Sequence, residues 1–242
     1  MWSNDTGNGE LTKCAIRSQG DANQPFARII LKRYSQRLKI GPKKPTLNIM
    51  SKDNSKQISG YLNQQVLIAM PGMVDSNFAG SVTLLCQHNE AGAIGITINR
   101  LSDYSLGEIF SQLHIDCKDE TLIKMPVLEG GPVAPDRGFV LHTPAEGFES
   151  SMSVGPDIMV TTSRDVLAAI ADGNGPEKFV IALGYAGWGG GQLEGEMREN
   201  AWLNVMADSS IVFDTPVLQR FDGALDRLGI KIDRLHTDFG HA

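Results

Sequence analysis

The chain has 242 residues, 41% of them hydrophobic, and a formal net charge of −6. No apolar run approaches the ~18 residues that a membrane helix needs, and three cysteines (Cys14, Cys86, Cys117) with no CxxC pair provide neither a disulfide framework nor zinc spacing. The charge is unevenly spread: residues 1–60 carry 11 Lys/Arg against 4 Asp/Glu, and the rest carries 11 against 24, so residues 61–242 repel a phosphate backbone and direct DNA binding is not expected of them.

Residues 1–25 are polar and lack periodicity. Phe26, Ile29, Ile30, Tyr34 and Leu38 then recur at helical spacing among Arg28, Lys32, Arg33, Arg37 and Lys39, and Gly41 to Pro45 stop the pattern. A basic amphipathic helix of this kind suits an anionic membrane or a nucleic acid. The plainer expectation is a disordered basic extension over 1–60, with a native start near Met50, because SKDNSKQISG after Met50 is a polar lead-in to the first strand.

Residues 61–242 read as one domain. Val66–Met70, Val82–Gln87 and Ala93–Ile98 are predicted strands, the last two joined by a turn as an antiparallel hairpin. Ser105 and Glu108 form a capping box, and Leu106, Ile109, Phe110 and Leu113 give the helix behind it an apolar face. Val127–Glu129 and Gly138–His142 are expected strands around a broad Gly/Pro loop at 130–136. Ile158–Thr161 is another strand, and Thr162 to Asp165 cap a helix buried through Val166, Leu167 and Ile170.

Phe179–Leu183, apolar throughout, reads as the central strand. A Gly-rich turn from Gly184 to Gly191 is expected to lead from it into an acidic helix, with Leu193, Met197 and Ala201 inward and Glu196 and Asn200 at the edge of that face. Glu194 stands four residues before Arg198, the favourable order for a surface pair. Ser210–Phe213 is predicted as a strand, and Pro216 opens a final helix ended by Gly229. The resulting fold class is α/β, with about eight strands in a mixed, largely antiparallel sheet and about four helices packed on it.

Candidate chemistry is sparse. Cys86 and His88, two apart, are expected on one face of a strand, but the other histidines lack ligand spacing, so no metal is expected. Ser163 has no nucleophile elbow around it and serves as a cap. GWGGGQ matches neither phosphate-loop pattern, and acids follow it. No catalytic residue and no cofactor emerge. Arg137 and Arg164 stand in polar turns, where a guanidinium can fork a carboxylate or phosphate. With Glu196 and Asn200 they make the candidate ligand-binding set.

LIAMPGM (67–73), SVTLLCQHNEAGAIGITIN (81–99), LEGGPVAPDRGFVLHT (128–143), TTSRDVL (161–167) and ALGYAGWGGGQLEGEMRENAW (182–202), with the closing GHA, resemble the AlgH/YqgE family of bacterial proteins. The resemblance covers roughly residues 62–242. It implies a single compact domain whose sheet folds into a pseudo-barrel, and a cytoplasmic protein of a family commonly described as transcriptional regulators. No helix-turn-helix with a basic recognition helix accompanies that description. Two readings follow. The first is a non-enzymatic regulatory protein acting through a protein partner or a small ligand. The alternative is a small-molecule or nucleotide-binding enzyme with its pocket between the GGP loop, the start of the Arg164 helix and the Gly-rich turn.

Overall fold

The computed structural model describes residues 61–230; the basic helix, the start near Met50 and the closing GHA lie outside the described residues. Ten strands and six α-helices are formed within this range, more than the eight and four expected. They are β1 (Gln65–Ala69), β2 (Val82–Asn89), β3 (Gly92–Thr97), β4 (Leu101–Ser105), α1 (Leu106–Gln112), α2 (Glu120–Ile123), β5 (Pro126–Glu129) and β6 (Val133–His142). After these come β7 (Ser151–Gly155), β8 (Ile158–Thr161), α3 (Arg164–Ala171), β9 (Phe179–Gly189), α4 (Gln192–Arg198), β10 (Trp202–Met206), α5 (Ser209–Phe213) and α6 (Arg220–Arg227).

The strands lie in the order β10-β1-β2-β3-β9-β6-β8-β7, with β5 beside β9 and β4 beside β5. Every pairing is antiparallel except β5 with β9. The hairpin of β2 and β3 forms as expected. The sheet curls until its distant strands share one interior: Val66, Ile68, Val82 and Leu84 from β1 and β2 pack in the same cluster as Val154, Ile158 and Val160 from β7 and β8. Ile211, Val212, Ala224 and Leu225 of α5 and α6 complete that cluster.

The outer face carries two further clusters. Over Val140, Ile181 and Leu183 lie α1 and α3, through Leu106, Ile109 and Phe110 and through Val166, Leu167 and Ile170. Over Leu85, Ala93, Ala186 and Trp188 lies α4, through Leu193. Side chains alternate across the sheet as strand geometry requires: Phe139 and Leu141 face inward while Val140 faces outward. Each fully buried Leu or Phe among these contributes about 1.5–3 kcal/mol.

Two irregularities interrupt the alternation. In β2 the register against β3 slips between Leu85 and Gln87, so Cys86 joins the inner cluster while His88 faces α4 on the outside. The even spacing predicted a shared face; the bulge separates the pair. Between β6 and β9 the register slips from Val133 to Gly138, opposite the single residue Gly184, whose φ is +74°. Ala182 points inward and Leu183 outward; beyond the bulge Tyr185 points inward and Trp188 outward.

The expected Gly-rich turn is therefore strand as far as Gly189, and only Gly190 and Gly191 remain to turn into α4. Glycine by itself disfavours a strand, but β3 and β6 pair with this stretch and the ladder prevails over propensity. The loop expected at 130–136 shrinks likewise, because β6 begins at Val133. Gly131, at φ +150°, lies against the backbone of Tyr185 and Ala186, and a Cβ on either Gly131 or Gly184 would strike the backbone of the facing segment.

Ser210–Phe213 is helix, not strand. The Asp208 carboxylate accepts from Ser210 N at 2.8 Å and starts α5 there, a cap that decides a short apolar run whose periodicity is ambiguous. The Ser105–Glu108 box forms as expected, with Ser105 N donating to Glu108 Oε2 at 2.8 Å. Ser163 occupies the N-cap position of α3, yet its hydroxyl donates to Glu149 O and the Asp165 carboxylate rather than capping the helix.

His142, fully buried, is held from both sides. Its Nδ1–H donates to Thr143 O at 2.7 Å, so Nε2 is left to accept from Thr161 Oγ1 at 2.8 Å. Burial pushes its pKa below the ordinary 6.5. The folded imidazole thus stays neutral where the unfolded one takes up a proton, and stability present above pH 6.5 declines as pH falls below it. Thermal unfolding from pH 8 to pH 5 should show the wild type losing more stability than His142→Gln; parallel curves would remove His142 from the account.

Candidate functional site

Between β1 and β2 the chain makes a protruding loop from Met70 to Ser81. Asp75 nucleates it: its side chain accepts from Asn77 N at 2.8 Å, and its carbonyl accepts from Phe78 N at 2.9 Å and Ala79 N at 2.8 Å. The Arg100 guanidinium donates to Asn77 O at 2.6 Å, Ala79 O at 2.8 Å and Ser76 O at 3.2 Å. Asn99 bridges Gly80 O and Val82 N at 2.8 and 2.7 Å. The loop carbonyls are thereby fixed by two side chains from the β3–β4 connection.

Phe78 anchors the loop from below. Its ring stacks on Trp188 at 5.9 Å and meets Trp202 edge-on at 5.6 Å, while the two indoles are 5.9 Å apart. Both tryptophans are buried, and a buried indole N–H needs an acceptor. One oxygen serves both: Glu196 Oε2 accepts from Trp188 Nε1 at 2.9 Å and from Trp202 Nε1 at 2.8 Å, while Oε1 accepts from Gln192 Nε2 at 2.9 Å. What this framework displays is Val74, 95% exposed. Packing and hydrogen bonding thus brace the loop around an exposed apolar side chain.

On the other face of the sheet stands Arg137. Its guanidinium carbon lies 5.4 Å from the centre of the Phe139 ring, and Tyr185 packs edge-on to that ring at 5.9 Å. Burial lowers the Arg137 pKa from its ordinary value, and the adjacent Tyr185 works in the opposite sense; burial likewise raises the Tyr185 pKa. Among the described residues Arg137 makes no ion pair, and its Nε is buried without a hydrogen-bond partner.

The other two candidates lie apart. Arg164 is exposed and donates to Leu113 O at 2.8 Å, closing the C-terminal end of α1 with a side chain from α3. Asn200, placed by its spacing at the edge of a buried face, is exposed; with φ +55° it is the left-handed residue that ends α4, its N–H bonded to Met197 O at 3.1 Å. Glu196 and Asn200 thus share α4 and its end, while Arg137 and Arg164 belong to separate faces. Among the described residues no arginine pairs with Glu196, whose oxygens accept from indole and amide donors instead.

The pair expected between Glu194 and Arg198 is replaced by a longer-range one. Glu194 Oε1 accepts from His88 Nε2 at 3.0 Å, and His88 Nδ1 in turn accepts from Leu62 N at 3.0 Å. That second bond assigns the ring proton to Nε2. Cys86 Sγ is buried and its pKa is pushed up to about 12, so the thiol is protonated at neutral pH and packs as an apolar group. The pocket drawn between the GGP loop and the Gly-rich segment is filled by direct backbone contact of Gly131 with Tyr185 and Ala186. An open cleft of about 470 Å³ lies instead between the β7–β8 turn and the end of β10, where Arg227 pairs with Asp208 at 2.5 Å.

Sequence reasoning missed Phe78, Arg100, Trp188 and Trp202. Two tryptophans flanking an acidic helix, each needing an acceptor once buried, were the available signal. Arg100 beside Asn99, just beyond a strand, carried none, because its partners are carbonyls of a loop distant in sequence.

A curled, largely antiparallel sheet with α-helices on both faces and a preformed loop between its first two strands defines the class. Residues 66–233 match the family model described as AlgH-like. The chain belongs to the AlgH-like family. It is 50% identical over 181 residues to a UPF0301 protein of Xanthomonas campestris, covering 75% of this chain and 96% of that one. It is 50% identical over 183 residues to a UPF0301 protein of Burkholderia multivorans, covering 75% and 95%. The solution structure of the AlgH protein from Pseudomonas aeruginosa superposes with a TM-score of 0.64 at 46% identity, over 78% of this chain and 100% of that one. A crystal structure of protein DIP2367 from Corynebacterium diphtheriae shares the fold at TM-score 0.55 and 20% identity, over 74% and 91%.

Proposed function

We propose that the protein is a non-enzymatic regulatory protein of the bacterial cytoplasm that works by binding a protein partner, with the Met70–Ser81 loop as its recognition surface. One observation carries the reading: Arg100, Asn99, Asp75 and Phe78 brace this loop by hydrogen bonds and ring packing around an exposed Val74. Connecting β1 to β2 requires no such framework. A surface segment ordered before contact loses less conformational entropy on binding, and loops fixed on a rigid scaffold are common sites of recognition. The excess of Asp and Glu over residues 61–242 favours a protein partner over a nucleic acid. Among the described residues no helix is long and apolar enough to cross a membrane.

Val74→Asp tests the reading, since Val74 touches nothing that stabilises the fold. Surface substitutions of this kind change stability by no more than about 0.5 kcal/mol. The full chain carrying Val74→Asp should keep its melting temperature and lose the partner that the wild type retains at equal concentration. Equal retention by both proteins would remove the loop from the binding surface.

A further inference from the structure

Tyr61, Leu62 and Asn63 precede β1 and lie against the end of β2, where His88 receives them. Leu62 N donates to His88 Nδ1 at 3.0 Å, Asn63 Nδ2 donates to His88 O at 3.0 Å, and His88 N donates to Asn63 Oδ1 at 2.7 Å. The Tyr61 ring meets the imidazole edge-on at 5.2 Å. Leu62 packs on the cluster of Trp188 and Trp202 that also seats Met73 and Phe78 of the loop. Gln64 joins this strap to β1 at φ +61°, a left-handed conformation that disfavours a residue with a side chain. Bonds and packing therefore hold the strap closed against the preference of its hinge.

His88 is the centre of those bonds, and its side chain is 1% exposed. Its Nε2–H donates to Glu194 Oε1 at 3.0 Å, and Glu194 Oε2 is buried without a partner. The ionisable groups against the ring are thus Glu194 from α4 and Tyr61 from the strap. From β3, Ala93 pairs with His88, and Glu90 in the turn beyond β2 is exposed. The ring accepts from Leu62 through the Nδ1 lone pair, which only a neutral imidazole possesses. A second proton takes that lone pair and sets two donors, Leu62 N–H and Nδ1–H, against each other. The bond to Glu194 survives protonation whether the strap is closed or open. Proton uptake therefore penalises the closed strap alone, and falling pH favours release.

We infer that His88 is a proton-operated latch, fastening residues 61–63 to the domain when neutral and releasing them to pivot about Gln64 when protonated. Release uncovers the flank of the Trp188–Trp202 cluster on which Leu62 packs. The latch does not depend on what the Met70–Ser81 loop binds.

Amide exchange followed by NMR on the full chain tests the inference between pH 8 and pH 5, the range in which imidazole side chains change charge. Protection factors, corrected for the intrinsic pH dependence of exchange, should fall about tenfold or more at Leu62 N and His88 N, the two amides bonded within the closed strap. Val66 in β1 should keep its protection. His88→Asn places an amide oxygen where Nδ1 accepts and carries no titrating group, so Leu62 protection should become independent of pH. Glu194→Gln keeps an acceptor for Nε2–H and removes the counter-charge of the imidazolium, so release should move to lower pH. Leu62 protection that persists at pH 5 in the wild type would overturn the inference. So would release at the same pH in Glu194→Gln or His88→Asn as in the wild type. Loss of Val66 protection in step with Leu62 would assign the change to unfolding and overturn the latch equally.

Discussion

Gly131→Ala should unfold the domain or cost it more than about 4 kcal/mol, beyond the range of ordinary single substitutions. At φ +150° a side chain is strained before any contact is considered, and the added methyl would meet backbone atoms of Tyr185 and Ala186. Those atoms belong to β9, which pairs with β3, β5 and β6 and has no freedom to retreat. Gly72→Ala is the matched control, because a Cβ there meets nothing within 4 Å. Urea unfolding of the two variants should place the Gly72→Ala midpoint near the wild type and the Gly131→Ala midpoint far below it. Equal midpoints would mean that the close approach of the GGP segment to β9 has no energetic weight.

Glu196→Leu is the second large effect. One carboxylate oxygen accepts from both indoles, so its removal strands two buried N–H donors at once. At about 1–3 kcal/mol for each unsatisfied group, the expected loss is about 2–6 kcal/mol. Glu196→Gln keeps an amide oxygen able to accept from both tryptophans, and it should lose only about 1 kcal/mol. Thermal melts followed by tryptophan fluorescence distinguish the pair, and identical losses would show that packing alone holds Trp188 and Trp202. Phe78 rests on the same two rings, so Glu196→Leu should also loosen the loop and weaken partner binding at temperatures where the domain remains folded.

How far the sequence was legible follows from which forces were local. The Ser105 capping box, the hairpin of β2 and β3 and the apolar face of α3 depend on residues within one or two turns of each other, and they form where periodicity put them. The glycine run misled because its fate is set by partners elsewhere: β3 holds Gly187 and Gly189 in a ladder, β6 pairs up to Tyr185, and Gly184 lies at the break in that second ladder. The same slip in frame explains why Ala182 and Tyr185, three apart, serve one face, a fact no count of alternating residues contains. β10 was hidden behind Asn200, whose left-handed conformation ends α4 and leaves Trp202 free to pair with Ala69.

The candidate site was legible in part. Glu196 was singled out as a carboxylate at the edge of a buried face, and it has that position, with indoles rather than an arginine as partners. Arg137 stands out in the sequence as a cation in a domain short of them, and its seat over the Phe139 ring is visible only in the fold. Arg164 stands out on the same ground and serves the end of a helix instead. The loop from Met70 to Ser81 was invisible as a surface because its order comes from Arg100 and Asn99, some twenty residues away in sequence.

The most direct measurement is site-specific photo-crosslinking in cells, with the reactive group placed at position 74 of the full chain. The same group at position 218 is the control, since Leu218 is also exposed, at 79%, and lies outside the loop. The account predicts a covalent adduct with one defined protein from position 74 that is absent from position 218. No adduct at 74, or the same adducts from both positions, would contradict it.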